Sequence, residues 1–173
     1  NMAQALISGL VSCGVKPSSI TVADPSSEAR EQLAAKGLNT VDPTADAKAA
    51  VIDADIVVLA VKPQVMKAVV SSFADVLDKQ LVISVAAGLS TELLSDMLGG
   101  YDNIVRAMPN TPAMIQMGAT GLYGTDNISA EQKQLATAVM EASGLVMWVD
   151  NEEHMHAVTA VSGSAPAYMF YFI

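Results

Sequence analysis

The chain has 173 residues, 51% of them hydrophobic, and a formal net charge of −9. This length suits one domain, with room for part of a second. The longest apolar runs have the length of strands and fall well short of the roughly 18 residues of a membrane-spanning helix. With no cluster of lysine or arginine, the acidic balance argues against broad contact with nucleic acid. The single cysteine, Cys13, excludes an internal disulfide framework, and with no visible secretory leader it favours a cytoplasmic protein.

The first third of the chain predicts helices and strands in alternation. The stretch "MAQALISGLV" places Met2, Leu6 and further apolar residues at helical spacing, so the chain opens with a helix. A short strand over 20–23 is followed by a helix with Ser26 at its N-cap and a glycine as its stop. The stretch "LNTV" is typical of another short strand, and a loop with a short helix follows it.

The remaining two thirds continue the alternation with longer apolar strands. "DIVVLAVKP" is a nearly pure apolar strand ended by Pro63, as expected of a strand that is covered on both faces. The helix after it is predicted to turn Val65, Ala68, Val69 and Phe73 inward. "LVISVAAGLS", "NIVRAMPNTP", "GATGLYG", "SAEQKQLATAVMEASG" and "LVMWVD" complete the pattern. Strands that alternate with helices predict an α/β fold with a mainly parallel sheet and helices on both of its faces.

A dinucleotide-binding turn would explain the helix at the start of the chain. In such folds a G-x-G-x-x-G/A turn joins the first strand to the first helix. If Gly-x-Gly precedes the chain, Asn1 and Met2 are the two variable positions and Ala3 is the last small residue. Asp24, at the end of the next strand, stands where an acidic residue meets the adenosine ribose. Asp24 also precedes a proline and a helix, where aspartate is ordinary turn chemistry, so both interpretations stay open.

Five motifs in chain order, "NMAQAL", "AVKPQ", "SVAAG", "RAMPNTPA" and "VTAVSGSAPAY", resemble those of pyrroline-5-carboxylate reductases. The resemblance runs through the whole chain. It implies an enzyme that reduces 1-pyrroline-5-carboxylate to L-proline, the last step of proline biosynthesis, with NADPH or NADH as cofactor. It also implies a Rossmann-type dinucleotide-binding domain over residues 1–150, without its first strand and Gly-x-Gly here. Residues 151–173 are then the truncated beginning of a C-terminal, all-helical dimerisation domain.

Two turns are predicted at the carboxyl ends of parallel strands, where ligands of such sheets bind. The "AVKP" turn offers a phosphate contact at Lys62 and a rigid turn at Pro63, and Ala60 and Val61 allow the backbone to approach a cofactor. A plain strand end with a solvated lysine is the alternative. The small residues of the "VAAG" turn suit contact with a ribose or nicotinamide, or equally the tight packing of a helix on a strand. Those residues are Ala86, Ala87 and Gly88.

The "MPNTP" segment is predicted to line the nicotinamide and the substrate. Pro109 and the second proline hold Asn110 and Thr111 in an extended loop that presents an amide and a hydroxyl. A structural turn after the strand is the alternative. Arg106, just upstream, is a candidate either for anion binding or for a structural hydrogen-bond donor.

The "SGSAPAY" segment supplies the hydroxyls of Ser162 and Ser164. Ser164 also fits the N-cap of a helix begun by Pro166, and the resemblance places this junction beside the active cleft. His154 and His156 are two residues apart on a predicted helix and so face different sides, which argues against a shared metal. No metal site is predicted.

No catalytic triad is predicted, because reduction of a C=N bond by a nicotinamide requires chiefly placement of the reactants. The catalytic residues stay unassigned. The resemblance implies that a later Gly-rich, Thr-containing loop of the helical domain binds the substrate carboxylate, and no residue of this chain corresponds to it. Another imine or 2-hydroxyacid reductase, and a non-catalytic dinucleotide sensor, are the alternative functions.

Cofactor preference and assembly stay open at this point. Asp24 favours the ribose 2′-hydroxyl of NADH, whereas Ser26 and Ser27 are available to the 2′-phosphate of NADPH. Half of the aromatic residues fall at the C-terminal end of the chain, which predicts packing against a partner subunit in a homodimer or higher homo-oligomer. These residues are Tyr168, Phe170, Tyr171 and Phe172.

Overall fold

The computed structural model describes residues 2–164 and 171. The helices are α1 (Met2–Ser12), α2 (Ser27–Ala34), α3 (Pro43–Asp46), α4 (Pro63–Ser71), α5 (Thr91–Met97), α6 (Ala130–Glu141) and α7 (His154–Val158). The strands are β1 (Thr21–Ala23), β2 (Asn39–Val41), β3 (Ile56–Leu59), β4 (Leu81–Ser84), β5 (Ile104–Met108), β6 (Gly118–Gly124) and β7 (Gly144–Trp148). A 3-10 helix covers Thr111–Ile115, and a π-helical segment, Thr159–Ser164, continues α7. Predictions on Asn1, Pro166, Tyr168, Phe170 and Phe172 fall outside the described residues.

The strands form two sheets. β1 and β2 pair in parallel, and the larger sheet has the order β3-β4-β5-β6-β7. All neighbouring strands of the larger sheet are parallel except β5 and β6. These two are joined by a short loop with one 3-10 helix, whereas a parallel crossover needs about a dozen residues or more. The prediction of a mainly parallel sheet is confirmed. Among the described residues, no helix has the length and apolar character needed to cross a membrane.

Each face of the larger sheet is covered by its own layer of helices. On one face, Val82 of β4 shares a buried core with Met66 of α4. On the other face, Ile83 shares a second core with Leu6 of α1 and Met140 of α6. Successive residues of a strand point to opposite faces, so one apolar strand serves both cores. The predicted α/β architecture, with helices on both faces, is confirmed.

The predicted inward face of α4 is partly wrong. Phe73 is buried as predicted, but Val65 is 48% exposed and Ala68 is exposed as well. Met66 and Val70 are fully buried instead. Because apolar residues occupy almost every position of "VMKAVV", the sequence offers two adjacent stripes at helical spacing. Packing against the sheet selects one of them.

A close contact fixes α1 beside the end of α6. A Cβ atom built on Gly9 would lie 2.0 Å from the carbonyl oxygen of Ala142, so only glycine fits at this position. Nothing in the local pattern predicts the contact, because its two partners are far apart in sequence. It sets the position of the helix whose N-terminus the sequence assigns to a dinucleotide.

We expect Thr120→Val to raise the free energy of unfolding by about 1 kcal/mol. Thr120 of β6 is buried, and its hydroxyl has no hydrogen-bond partner among the described residues. Valine keeps the shape and removes an unpaired buried hydroxyl. Thr137→Val is the matched control, since the Thr137 hydroxyl donates to Lys133 and accepts from Trp148. Urea unfolding should show that the control is destabilised. Destabilisation of Thr120→Val would show that its hydroxyl has a partner.

Candidate active site

Three turns follow parallel strands at one edge of the larger sheet. β3, β4 and β5 are neighbours and run in the same direction, so their carboxyl ends meet at this edge. The turns at 60–63, 85–88 and 109–111 leave the sheet there. In open α/β sheets this edge is the place where ligands bind. The structure thus brings together the three turns that the sequence predicts as binding elements.

The turn after β3 presents one charged group. Lys62 is the N-cap of α4, with extended backbone, and Pro63 takes the first helical position. The Lys62 side chain is exposed and makes no hydrogen bond or ion pair within the described residues. Ala60 and Val61 are partly buried, and Val61 packs against the core. An anionic ligand at this turn would therefore meet Lys62 first.

The turn after β4 is shaped by a buried serine. The Ser84 hydroxyl accepts a hydrogen bond of 3.3 Å from the Ala86 backbone N–H. Ala86 is itself buried in the core, so its side chain contributes to packing, and its contact with a cofactor stays a prediction. Ala87 and Gly88 are exposed. Gly88 has a φ of +78° and open space where a Cβ would stand, which leaves its backbone accessible.

The turn after β5 is closed by an asparagine. The Asn110 side-chain carbonyl accepts a hydrogen bond of 2.9 Å from the Ala119 backbone N–H at the start of β6. Asn110 has extended backbone, as predicted, but Thr111 begins the 3-10 helix and is not extended. Pro109 is buried and Thr111 is exposed. One amide thus holds both ends of the loop from β5 to β6 together.

The π-helical segment Thr159–Ser164 lies against the end of β5. A Cβ atom on Gly163 would be 3.2 Å from the Met108 methyl carbon, so the segment touches the residue before the third turn. The Ser162 hydroxyl donates to the Val158 carbonyl oxygen at 2.7 Å. The predicted helix start at Ser164 is wrong, because helical backbone already runs from α7 through Ser164. Ser164 is exposed at its end.

A buried ion pair connects this segment to the sheet. Arg106 of β5 is only 5% exposed, and its Nη1 donates to Glu152 Oε1 at 2.9 Å. The same carboxylate accepts hydrogen bonds from the backbone N–H and the hydroxyl of Thr91, each at 2.8 Å. Of the two sequence-based interpretations of Arg106, the structure supports the hydrogen-bond donor. Sequence reasoning did not single out Glu152 or Thr91, which are 61 residues apart.

Tyr123 of β6 pairs with Arg106 across the antiparallel strands. Burial raises the pKa of the Tyr123 phenol above its ordinary value, and the charges of Glu152 and Asp126 raise it further. The phenol is therefore protonated at neutral pH. The Tyr123 side chain therefore adds no charge next to the ion pair of Arg106 and Glu152.

A cleft of about 360 Å³ opens between the turn after β4 and α7. Its walls include Gly88 and Ser90 on one side, His156 and Thr159 on the other, and Arg106 at the sheet. The cleft thus joins a predicted cofactor turn to the segment that carries Ser162. Among the described residues, no group of three or more His, Cys, Asp or Glu side chains could hold a metal ion.

Asp24 and Ser26 follow β1 of the smaller sheet. No strand pairing joins this sheet to the larger one within the described residues. Asp24 Oδ1 accepts from the Ser26 backbone N–H at 2.8 Å, and the Ser26 hydroxyl caps α2. Arg30 donates to the Asp24 carbonyl oxygen at 2.7 Å and to Asp42 at 2.9 Å. Hydrogen bonds from Thr44, and then the Arg30 charge, hold the pKa of Asp42 below its ordinary value. Asp24 therefore shapes the turn through Oδ1, and its Oδ2 has no hydrogen-bond partner among the described residues.

The last predicted site residue, Met2, packs against the core that α1 shares with the sheet. Its side chain therefore contributes to packing. Only its backbone, at the start of α1, remains a candidate for ligand contact.

Comparison with known proteins identifies the family. A family model described as NADP oxidoreductase, coenzyme F420-dependent, matches residues 1–88, just over half of the chain. The chain belongs to this oxidoreductase family. Pyrroline-5-carboxylate reductase from Pseudomonas aeruginosa is 45% identical over 172 residues, which are 98% of this chain and 62% of the relative. The resemblance predicted from the five motifs is confirmed.

Solved structures agree with the family assignment. A pyrroline-5-carboxylate reductase from Coxiella burnetii superposes with a TM-score of 0.92 at 40% identity, over 99% of this chain and 63% of that one. A Plasmodium falciparum pyrroline carboxylate reductase, solved with NADP bound, gives 0.85 at 27% identity over 99% of this chain and 62% of that one. The Rossmann-type fold is thereby confirmed. The chain spans less than two thirds of the length of these relatives.

Proposed function

We propose that the protein carrying this chain reduces 1-pyrroline-5-carboxylate to L-proline with NADPH or NADH. The observation that supports this best is the contact of the Thr159–Ser164 segment with the end of β5. In this proposal the segment forms the substrate side of the cleft, and the turn after β4, which lines the same cleft, forms the cofactor side. The relatives that match nearly all of this chain are named for this activity.

The residues at the strand ends fit a dinucleotide. Lys62 offers an uncommitted positive charge, and the open space at Gly88 lets a ribose or nicotinamide approach the backbone. Asp24 keeps one carboxylate oxygen for a ribose hydroxyl. When bound, the cofactor supplies the hydride, and the protein supplies orientation.

In this proposal the chain's own residues orient the reactants. Asn110 keeps the loop after β5 in one conformation, and its amide N–H groups remain available to a ligand. Thr111 and Ser164 carry exposed hydroxyls, and we assign to one of them the relay of a proton to the imine nitrogen. Pre-ordered contacts of this kind contribute by holding the reacting atoms at about 3–3.5 Å.

We also propose the domain organisation that the sequence predicts. Residues 1–150 would form the dinucleotide-binding domain, and 151–173 would begin a helical dimerisation domain of a cytoplasmic homo-oligomer. β1 and β3 each have an edge without a strand partner among the described residues. A parallel strand preceding α1 could join the two sheets through these edges. The helical backbone from α7 through Ser164 supports the assignment of this part to the second unit.

A substrate panel tests the proposed activity. The purified full-length protein is assayed for NADPH and NADH oxidation with 1-pyrroline-5-carboxylate, with an acyclic imine and with a 2-keto acid. We expect kcat/KM to be highest for the cyclic imine. A higher value for another substrate would support the alternative reductase, and tight cofactor binding without any turnover would support a dinucleotide sensor.

We expect Lys62→Met to raise the Kd for NADPH about tenfold, because a charge-assisted contact with a phosphate is lost. Lys67→Met is the control, since Lys67 is an exposed lysine on the same helix but lies further from the strand end. Calorimetry at two salt concentrations measures the effect, which should shrink at high ionic strength. If both variants bound NADPH with equal affinity, Lys62 would be a solvated lysine that does not contact the cofactor.

A further inference from the structure

The ion pair of Arg106 and Glu152 joins two parts of the chain that are 46 residues apart. Arg106 lies in the middle of β5 and is almost fully buried, with its side chain 6% exposed. Glu152 lies between β7 and α7, and its side chain is 22% exposed. A charge this well buried needs its counter-charge, since removal of one partner leaves the other without compensation. The ion pair therefore holds Glu152 in a fixed position against β5, although Glu152 lies in a loop.

Thr91 makes the attachment of Glu152 rigid. Both carboxylate oxygens are engaged: Oε1 accepts from Arg106 and the Thr91 backbone N–H, and Oε2 accepts from the Thr91 hydroxyl. The carboxylate is thus held from two directions, by a strand of the sheet and by the first residue of α5. Because α5 begins just after the turn that contains Gly88, this contact links Glu152 to a cofactor-facing turn.

The helical segment that follows Glu152 has little freedom to move independently. A Cβ on Gly121 of β6 would lie 2.8 Å from a methyl of Val158, so α7 packs directly on the strand backbone. Further along, Gly163 touches Met108 at the end of β5. Two glycine contacts set how closely the segment approaches the sheet. Glu152 stands two residues before His154, the first residue of α7.

We propose that Glu152, held by Arg106 and Thr91, is a positioning residue that sets the distance between the Thr159–Ser164 segment and the turn after β4. This role rests on the proposed reductase activity, in which these two elements form the substrate and cofactor sides of one cleft. Glu152 need not touch either reactant. Displacement of reactants by about 1 Å can lower a rate on the order of 100-fold, so small shifts of this segment are sufficient.

Steady-state kinetics of the full-length protein test the proposal with Glu152→Gln and Thr91→Val. The glutamine removes the counter-charge of Arg106 at nearly constant volume, and the valine removes one hydrogen bond of the carboxylate. We expect kcat/KM for 1-pyrroline-5-carboxylate to fall about 10- to 100-fold in Glu152→Gln and less in Thr91→Val. Thr91→Ser keeps the hydroxyl and should retain nearly full activity.

Two readouts separate positioning from general destabilisation. The Kd for NADPH, measured by calorimetry, should change less than about twofold, since the phosphate contacts are elsewhere, and hydrogen exchange should accelerate at residues 159–164. Glu92→Gln is the control, because Glu92 is an exposed carboxylate on the same turn of α5. It should leave kinetics and exchange unchanged. If Glu152→Gln does not fold, Thr91→Val against Thr91→Ser gives the same comparison with a smaller perturbation.

The proposal is overturned if an active wild-type protein loses no catalytic efficiency in Glu152→Gln or, where that variant does not fold, in Thr91→Val. It is also overturned if kinetics change while exchange at 159–164 stays the same, because Glu152 would then act directly on a reactant. A wild-type protein that binds NADPH but turns over no imine contradicts the proposed function itself. In that case hydrogen exchange alone still tests whether Glu152 positions the segment.

Discussion

Replacing Gly144 by alanine should lower the free energy of unfolding by about 4 kcal/mol, the largest effect on stability that we expect of any single substitution here. Gly144 has a φ of +138°, where a side chain is strained. A Cβ at this position would also lie 2.1 Å from the Gly118 carbonyl oxygen, which is backbone and cannot rotate away. Backbone strain and overpacking therefore act together.

The consequence extends to the candidate active site. Gly118 and Gly144 are the first register pair of β6 and β7, and β7 leads directly to Glu152. Separation of the two strands at this point would shift the segment that follows β7. We therefore expect Gly144→Ala to lose activity even where it still folds.

Gly100→Ala is the matched control for Gly144→Ala. Gly100 has a φ of +91°, but no atom beyond its two chain neighbours lies within 4 Å of its Cβ position. Only backbone strain applies there, so we expect a loss of about 1 kcal/mol. Urea unfolding of both variants measures the difference. If both variants lost the same free energy of unfolding, β6 and β7 would be able to separate at this point without cost. The close contact of Gly144 with Gly118 would then not contribute to stability.

Replacing Asn110 by alanine should lower kcat/KM for 1-pyrroline-5-carboxylate about 100-fold under the proposed function. The side-chain carbonyl of Asn110 closes the loop between β5 and β6 through the Ala119 N–H. Without this bond, the loop that carries Thr111 loses its fixed place at the strand ends. The global fold should persist, because the loop lies at the edge of the sheet.

Asn127→Ala is the control for Asn110→Ala. Its amide donates to the Asp102 carboxylate at the opposite end of the same pair of antiparallel strands. We expect activity within about twofold of wild type, since an exposed hydrogen bond contributes little and no predicted site residue is near. If the two variants lose activity equally, the loop after β5 has no special role, and the loss reflects a general weakening of the β5–β6 pair.

Much of the fold could be predicted because most strands are short apolar runs that can be recognised from the local sequence. The apolar run that became β4 is buried throughout, and the run that became β3 packs against both cores. Turn residues bound both runs. The carboxyl ends of parallel strands share an edge by geometry alone, so the three turns could be grouped without coordinates. The motif "MPNTP" made Asn110 a candidate site residue, whereas its hydrogen bond with the Ala119 N–H is visible only in the structure.

Features that depend on distant contacts could not be predicted. The inward face of α4 was ambiguous because apolar residues fill both candidate stripes. The small residues of the "VAAG" turn fitted either ligand contact or tight packing, and only the structure shows that Ala86 packs into the core. Glu152 is one of several acidic residues in a polar stretch, and its partners are 46 and 61 residues away. No local pattern distinguishes a glutamate that pairs with a buried arginine from one in solvent.

The central claim is that this chain provides the cofactor side and part of the substrate side of a cyclic-imine reductase. It is tested most directly by incubating the purified full-length protein with 1-pyrroline-5-carboxylate and NADPH or NADH, and quantifying both L-proline and oxidised cofactor. We predict one L-proline formed for each cofactor oxidised, with no product when either reactant is omitted. Cofactor binding without proline formation, under conditions where the protein is folded, would contradict the account.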